Sequence, residues 1–103
     1  MTRKLTHSPL AEKDIDELVD YLALENYDLA IRFIDAVQKT EKILLDMPEI
    51  GVLRNYSSKR LMDMRMVLVT DFPNHLIFYI PTPTTIHVVR VLHGAQDIEA
   101  VFE

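Results

Sequence analysis

The sequence contains no cysteine and no tryptophan, and it has only two glycines. Without cysteine, neither a disulfide framework nor a thiolate metal site can form, and a reducing compartment fits this composition. The histidines lack the local spacing of zinc ligands, so we expect no metal and no other cofactor. Glycine-rich nucleotide motifs and a G-x-S-x-G hydrolase motif are also missing. The four histidines are His7, His75, His87 and His93.

Long apolar runs are missing too. No stretch approaches the roughly 20 apolar residues that span a bilayer, and no apolar segment of a signal peptide follows Arg3 and Lys4. The hydrophobic fraction of 49%, beside 26% charged residues, is typical of a globular protein. The length of 103 residues is close to the commonest domain size. We therefore expect a single domain over residues 1–103, in the cytoplasm and not on a membrane.

Negative charge is concentrated in the first half of the chain. The net charge is −5, and residues 1–50 hold 6 Lys and Arg against 11 Asp and Glu, whereas residues 51–103 hold 5 against 5. A general nucleic-acid-binding protein presents a basic surface to the phosphates. The balance of charge therefore predicts no direct nucleic-acid binding by the chain alone.

Two amphipathic helices are predicted in the first half. Lys4–His7 suits a short strand, and Ser8 can cap a helix that runs from Pro9 to about Glu25. After a break at residues 26–28, apolar residues repeat at helical spacing until Pro48. The short break predicts an antiparallel hairpin. The acidic residues of the first helix are expected to form a solvated face; they are Glu12, Asp14, Asp16, Glu17 and Asp20.

The second half changes to the spacing of strands. Residues 51–59 show little periodicity and are predicted to form an irregular surface connection. Three antiparallel strands are predicted, at residues 61–70, 75–80 and 85–92. A turn is expected at residues 71–74, and the third strand, rich in β-branched residues, should be covered on both faces. Residues 97–102 suit a short helix.

The predicted fold class is therefore α+β. It comprises a short N-terminal strand, an antiparallel helix hairpin, three antiparallel strands that form one sheet with the first strand, and a short C-terminal helix.

Residues 75–80, followed by residues 86–102, resemble the C-terminal signature of the RelE/ParE toxin superfamily, and are closer to its ParE-like members. The helix start at Ser8, the long second helix, Gly51 and Arg65 also fall in the family's order. The resemblance implies the toxin half of a bacterial type II toxin–antitoxin pair, as in plasmid stabilization systems. It also implies a cognate antitoxin protein that wraps around the toxin and holds it inactive.

The superfamily resemblance implies one of two activities. RelE-like members resemble ribosome-dependent mRNA endonucleases, which need several cationic or acid-base groups around one phosphate. Here the residues available for that role are His93, Arg65 and Arg90, and the junction at residues 93–96 holds one titratable group and no arginine. ParE-like members resemble inhibitors of DNA gyrase that act by binding. The small number of basic residues favours the ParE-like activity, for which no catalytic site is expected. A third alternative is a degenerate relative that only binds the antitoxin.

Six residues are candidates for contact with the target or the partner. They are Arg54, Lys59, Arg60, Arg65, Arg90 and His93. Arg90 lies inside an apolar strand, so it is either paired structurally with an acid or a functional contact. Arg65 is either a solvated charge or a contact for a partner or target beside the basic residues Arg54, Lys59 and Arg60. His93 is either an acid-base group or a side chain that satisfies a backbone group.

Overall fold

The computed structural model describes residues 2–56 and 58–102. Its strands and helices, in chain order, are β1 (Lys4–His7), α1 (Pro9–Glu25), α2 (Tyr27–Asp46), β2 (Val52–Leu53), β3 (Arg65–Val69), β4 (Phe72–Pro81), β5 (Thr85–His93) and α3 (Ile98–Phe102). This order confirms the α+β class. Within the described ranges, no helix has both the length and the apolar character needed to cross a bilayer.

All five strands belong to one mixed sheet in the order β1-β5-β4-β3-β2. β1 runs parallel to β5, and the other neighbours are antiparallel. The sequence predicted four of these strands and missed β2, a two-residue edge strand in which Val52 pairs with Met66 and Leu53 with Arg65. The N-terminal strand and the last strand therefore lie side by side although they are some 80 residues apart in the chain.

Two side-chain caps explain why the helix boundaries were predictable. The hydroxyl oxygen of Ser8 accepts the N–H of Ala11 at 3.0 Å, which starts α1. Asn26 ends α1 through its own N–H, which donates to Leu22, and its side-chain oxygen accepts the N–H of Asp28 at 2.9 Å. One residue thus serves both helices, and the hairpin turn is as tight as the sequence predicted.

The hydrophobic core lies on both faces of the sheet. Ile77 and Tyr79 of β4 belong to the larger cluster, which packs against α1 and α2. Phe78, between them in sequence, points to the opposite face and packs with Leu92 and Phe102. β5 contributes to both clusters, as its apolar sequence predicted.

The boundaries of the predicted strand at residues 61–70 and turn at residues 71–74 were wrong. A 3₁₀ turn occupies Lys59–Leu61, and Asp63 has a φ of 65°, which breaks the extended backbone before β3 begins. The tight turn lies at residues 70–71, so Pro73 is inside β4. The register shifts between Leu68 and Val69, which leaves Pro73 without a partner on β3, so its missing N–H costs no ladder hydrogen bond.

A buried tyrosine holds the connection that leads from α2 into β2. The Tyr79 hydroxyl accepts the N–H of Gly51 at 2.9 Å and donates to the carbonyl of Pro48 at 2.9 Å. Burial raises the pKa of Tyr79, so the phenol stays a donor. This anchor fixes residues 48–51 against the sheet and lets Val52–Leu53 pair with β3, where an irregular connection was predicted.

We expect Gly51→Ala to lower the free energy of unfolding by about 1–3 kcal/mol, because the added methyl group overpacks this anchor. A β-carbon there would lie 2.6 Å from the Tyr79 hydroxyl oxygen and 3.0 Å from the backbone oxygen of Met66. Urea denaturation measures the change. Gly94→Ala is the matched control, since its nearest neighbour would be 3.4 Å away. Equal stability of the two variants would contradict the anchor.

Candidate functional site

Arg90 is held by a carboxylate of the first helix. Its Nε donates to Asp14 Oδ2 at 2.6 Å and its Nη2 to Asp14 Oδ1 at 2.8 Å, a bidentate pair. The hydrogen bond to Asp14 is the main reason that the pKa of Arg90 is raised. Of the two alternatives for Arg90, the structure supports the ion-paired one.

Asp14 has a second role on the backbone. β1 pairs with β5 only as far as Val88, so the edge of β5 has no strand partner beyond that point. Asp14 Oδ2 accepts the N–H of Val91 at 3.1 Å, and the Ser8 hydroxyl donates to the carbonyl of Val89 at 2.6 Å. The prediction that Asp14 belongs to a solvated acidic face was therefore wrong, because this carboxylate is buried and completes the sheet edge.

Arg65 is bound to the backbone of the α2–β2 connection. Its Nη1 donates to the carbonyls of Glu49, at 3.1 Å, and Gly51, at 2.9 Å. The side chain is only half-buried, so part of the guanidinium stays open to solvent. Arg65 and Tyr79 thus both form hydrogen bonds with the α2–β2 connection. The structural role of Arg65 is to hold this connection in place.

His93 satisfies the backbone of the turn that follows β5. Its Nδ1 accepts the N–H of Ala95 at 2.9 Å, and the side-chain oxygen of Gln96 accepts the N–H of His93 at 2.7 Å. An accepting Nδ1 means that the neutral ring carries its proton on Nε2. The structure therefore supports the backbone-satisfying alternative for His93.

His75 lies beside His93 and was not identified from the sequence. The two residues are partners across β4 and β5, and their ring centroids are 4.9 Å apart. The other side of the His75 ring packs on Phe33, at 4.9 Å between centroids, and on Phe72. Its Nδ1 is buried and has no hydrogen-bond partner among the described residues. Burial, and then the neighbouring His93, lower the pKa of His75.

The two histidines line one wall of an open groove of about 590 Å³ between α1 and the turn after β5. α1 supplies the apolar side of the groove. The lining residues are Leu18, Tyr21, Leu22, Glu25, His75, His93, Ala95 and Gln96. This groove combines apolar residues with the polar side chains of His75, His93 and Gln96.

The three basic residues between β2 and β3 differ in their exposure, and Arg54 is half-buried. Arg54 donates to the Tyr56 hydroxyl at 3.2 Å and its guanidinium lies 5.8 Å from the centre of the Tyr56 ring. Lys59 and Arg60 are exposed to solvent. Arg60 also lines a small cleft of about 90 Å³ with Arg90.

The three residues considered for RNA cleavage do not converge. His93 pairs with His75 and Arg90 with Phe78, three residues further along β4, which corresponds to about 10 Å between backbone positions. Arg65 lies across β4 on the other neighbouring strand. Each of the three side chains already has its own partner. Arg90 is paired with Asp14, Arg65 binds the α2–β2 connection, and His93 binds the turn after β5.

A second buried pair joins β1 to α2. His7 Nε2 and a carboxylate oxygen of Glu41 form a hydrogen bond, and this contact is the main reason that the pKa of His7 is raised. Glu41 is buried, whereas the helix pattern gave no sign of a partner for it. The pair adds a polar contact between the helix hairpin and the sheet.

Two exposed apolar surfaces were also not identified from the helical and strand patterns. The hairpin-tip surface comprises Tyr21, Leu24, Tyr27 and Ile31, which are 63%, 87%, 72% and 44% exposed. The β2 edge comprises Ile50, Val52 and Leu53, which are 50%, 63% and 47% exposed. Apolar patches of this kind mark contact surfaces for other proteins.

Comparison with known proteins identifies the relatives of this chain. A family model described as "ParE toxin of type II toxin-antitoxin system, parDE" matches residues 5–98. A solved structure titled "Chromosomal ParDE TA system from P. aeruginosa" superposes with a TM-score of 0.69 and 16% identity, over 89% of this chain and 96% of that chain. At that identity the likeness shows a common fold. No curated protein matches the sequence significantly.

We expect Asp14→Ala to lower the free energy of unfolding by about 3 kcal/mol, because it leaves both the Arg90 guanidinium and the Val91 N–H without their acceptor. Urea denaturation at neutral pH provides the measurement. Asp16→Ala removes an exposed acid from the same helix and should change stability by less than about 0.5 kcal/mol. Equal midpoints for the two variants would refute this role of Asp14.

The buried His75 predicts a loss of stability in acid. Its folded pKa lies below the ordinary value of 6.5, so the unfolded chain binds the proton more readily. The contribution of neutral His75 is therefore complete above pH 6.5 and declines as the pH falls toward the lowered pKa. His75→Leu, of similar volume, should reduce this decline in unfolding free energy measured from pH 7.5 to pH 5. An unchanged pH profile would exclude His75 as the cause.

Proposed function

The chain belongs to the ParE toxin family of type II toxin–antitoxin systems, and on that premise we propose that it inhibits DNA gyrase by binding it. A cognate antitoxin neutralises it by covering its contact surfaces, and both act in the cytoplasm. The family match over residues 5–98 supports a toxin. The choice between binding and cleavage rests on the residues of the site.

The observation that favours binding over RNA cleavage is that the candidate side chains already have hydrogen-bond partners within the fold. Phosphodiester cleavage requires cationic and acid-base groups that converge on one phosphate. Arg90 is neutralised by the bidentate Asp14 carboxylate. Arg65 is directed at backbone carbonyls, and His93 accepts a backbone N–H with its Nδ1. A binding inhibitor needs none of these groups to be free.

The surface offers two complementary places for an antitoxin. The groove between α1 and the turn after β5 is open and has Leu18 and Leu22 on its apolar side, which suits the apolar face of a helix. The β2 edge presents exposed Val52 and Leu53 and the unpaired backbone of a two-residue edge strand. Helix-in-groove docking and strand addition are the usual ways in which a flexible segment binds such surfaces. An amphipathic antitoxin segment that is disordered when free fits both.

Expression of the chain without an antitoxin provides the cellular test. We expect filamentation and a DNA-damage response with transcripts intact, and rescue when the antitoxin is expressed together with the chain. In vitro, the purified chain should inhibit supercoiling by gyrase, and the antitoxin should reverse the inhibition. The chain mixed with antitoxin before gyrase is added serves as the control.

Other outcomes would assign a different function. Transcripts cleaved at the ribosome would replace the proposal with the RelE-like endonuclease, in which His93, Arg65 and Arg90 would act on RNA. Normal growth together with antitoxin binding would identify a degenerate relative that only titrates the antitoxin. Inhibition of purified gyrase would exclude both alternatives.

A further inference from the structure

The side chains of the hairpin-tip surface are exposed and belong to neither hydrophobic cluster of the core. Leu24 is 87% exposed and Tyr27 72% exposed, although neighbouring positions on the same helices are buried. Tyr21 and Ile31 extend the surface along α1 and α2. Exposed tyrosines beside aliphatic residues are the composition of energetically dominant residues in protein interfaces. Exposed apolar side chains close together in the sequence of a surface helix pair are therefore a candidate contact surface for a partner.

Acidic residues outnumber basic ones beside this apolar surface in the sequence. Residues 18–32 contain three acids, Asp20, Glu25 and Asp28, and one basic residue, Arg32, which directly follows Ile31. All three acids are exposed. One base against three acids leaves a net charge of −2 beside the apolar residues, which is complementary to a positive protein surface that has apolar pockets.

Hydrogen bonds also hold the backbone of the turn that carries this surface. Asn26 closes α1 and caps α2, so the turn between the helices is fixed by hydrogen bonds at both ends. Binding of a partner therefore requires little further ordering of this turn, so the loss of conformational entropy on this side of the contact is small.

We propose that the hairpin-tip surface is the part of the toxin that binds its target, and that it docks on a positively charged surface of gyrase. This inference rests on the proposed function. An enzyme that handles DNA must present positive surface to neutralise phosphates, so a complementary site is available on it. Opposite charges would also speed the encounter and make it sensitive to salt.

Supercoiling inhibition by the purified full-length chain is the test. The double variant Leu24→Ala/Tyr27→Ala should need at least about tenfold more protein for half-maximal inhibition, because it removes the aromatic and aliphatic centre of the contact. Asp20→Lys/Glu25→Lys should weaken inhibition at low salt, and added salt should weaken the wild-type chain more than this variant. All four substituted side chains are exposed, so folding should be preserved.

Matched controls carry the same changes elsewhere. Leu10→Ala truncates an exposed leucine at the other end of α1, about 20 Å from Leu24 along the helix. Asp46→Lys reverses an exposed charge at the far end of α2. Both should stay within about twofold of the wild-type chain, as surface substitutions outside a contact do.

The outcomes separate this inference from the function on which it rests. No inhibition by the wild-type chain would overturn both. Inhibition by the wild-type chain and equal inhibition by Leu24→Ala/Tyr27→Ala would overturn the docking surface alone. Loss of antitoxin binding by that variant, with inhibition of gyrase retained, would also overturn it, because the surface would then belong to the antitoxin.

Discussion

The Asp14 carboxylate is the contact on which the arrangement of helices and sheet depends. β1 is only four residues long and pairs with β5 only as far as Val88. On that side the second half of β5 has no strand partner among the described residues, although β4 pairs with its other side. Asp14 fills this place by binding the Arg90 guanidinium and the Val91 N–H together. The pair stabilises the contact only because both partners are present, since either charge alone would be costly to bury. The helix hairpin is thereby fixed against the last strand.

The same contact decides how Arg90 can be used. The Asp14 carboxylate pairs the charge of Arg90 and engages two of the five N–H donors of its guanidinium. Arg65 and His93 are similarly engaged with backbone groups. The chain therefore keeps charged residues of the kinds found in nucleases while using them to hold loops and edges. It offers three apolar surfaces for contact with other proteins, namely the groove, the β2 edge and the hairpin-tip surface.

Local signals in the sequence predicted the elements well wherever local forces decide them. Ser8 and Asn26 define helix boundaries through hydrogen bonds to residues at most four positions away. The apolar run of β5 predicted a strand covered on both faces. β2 could not be predicted, because two residues carry no periodicity and their pairing depends on Tyr79, 28 residues from Gly51. The start of β3 was missed because Asp63 adopts a left-handed conformation that no neighbouring residue signals.

The sequence by itself determined the fold class, the helix hairpin and the superfamily, since these depend on periodicity, caps and a contiguous C-terminal run. Only the tertiary structure decided the roles of the charged residues. Asp14 and Arg90 are 76 positions apart, and His75 and His93 meet only because β4 and β5 pair in that register. A charge in the sequence has no partner until the chain folds. Whether it serves the fold or a target is therefore settled by which distant group lies within hydrogen-bonding distance.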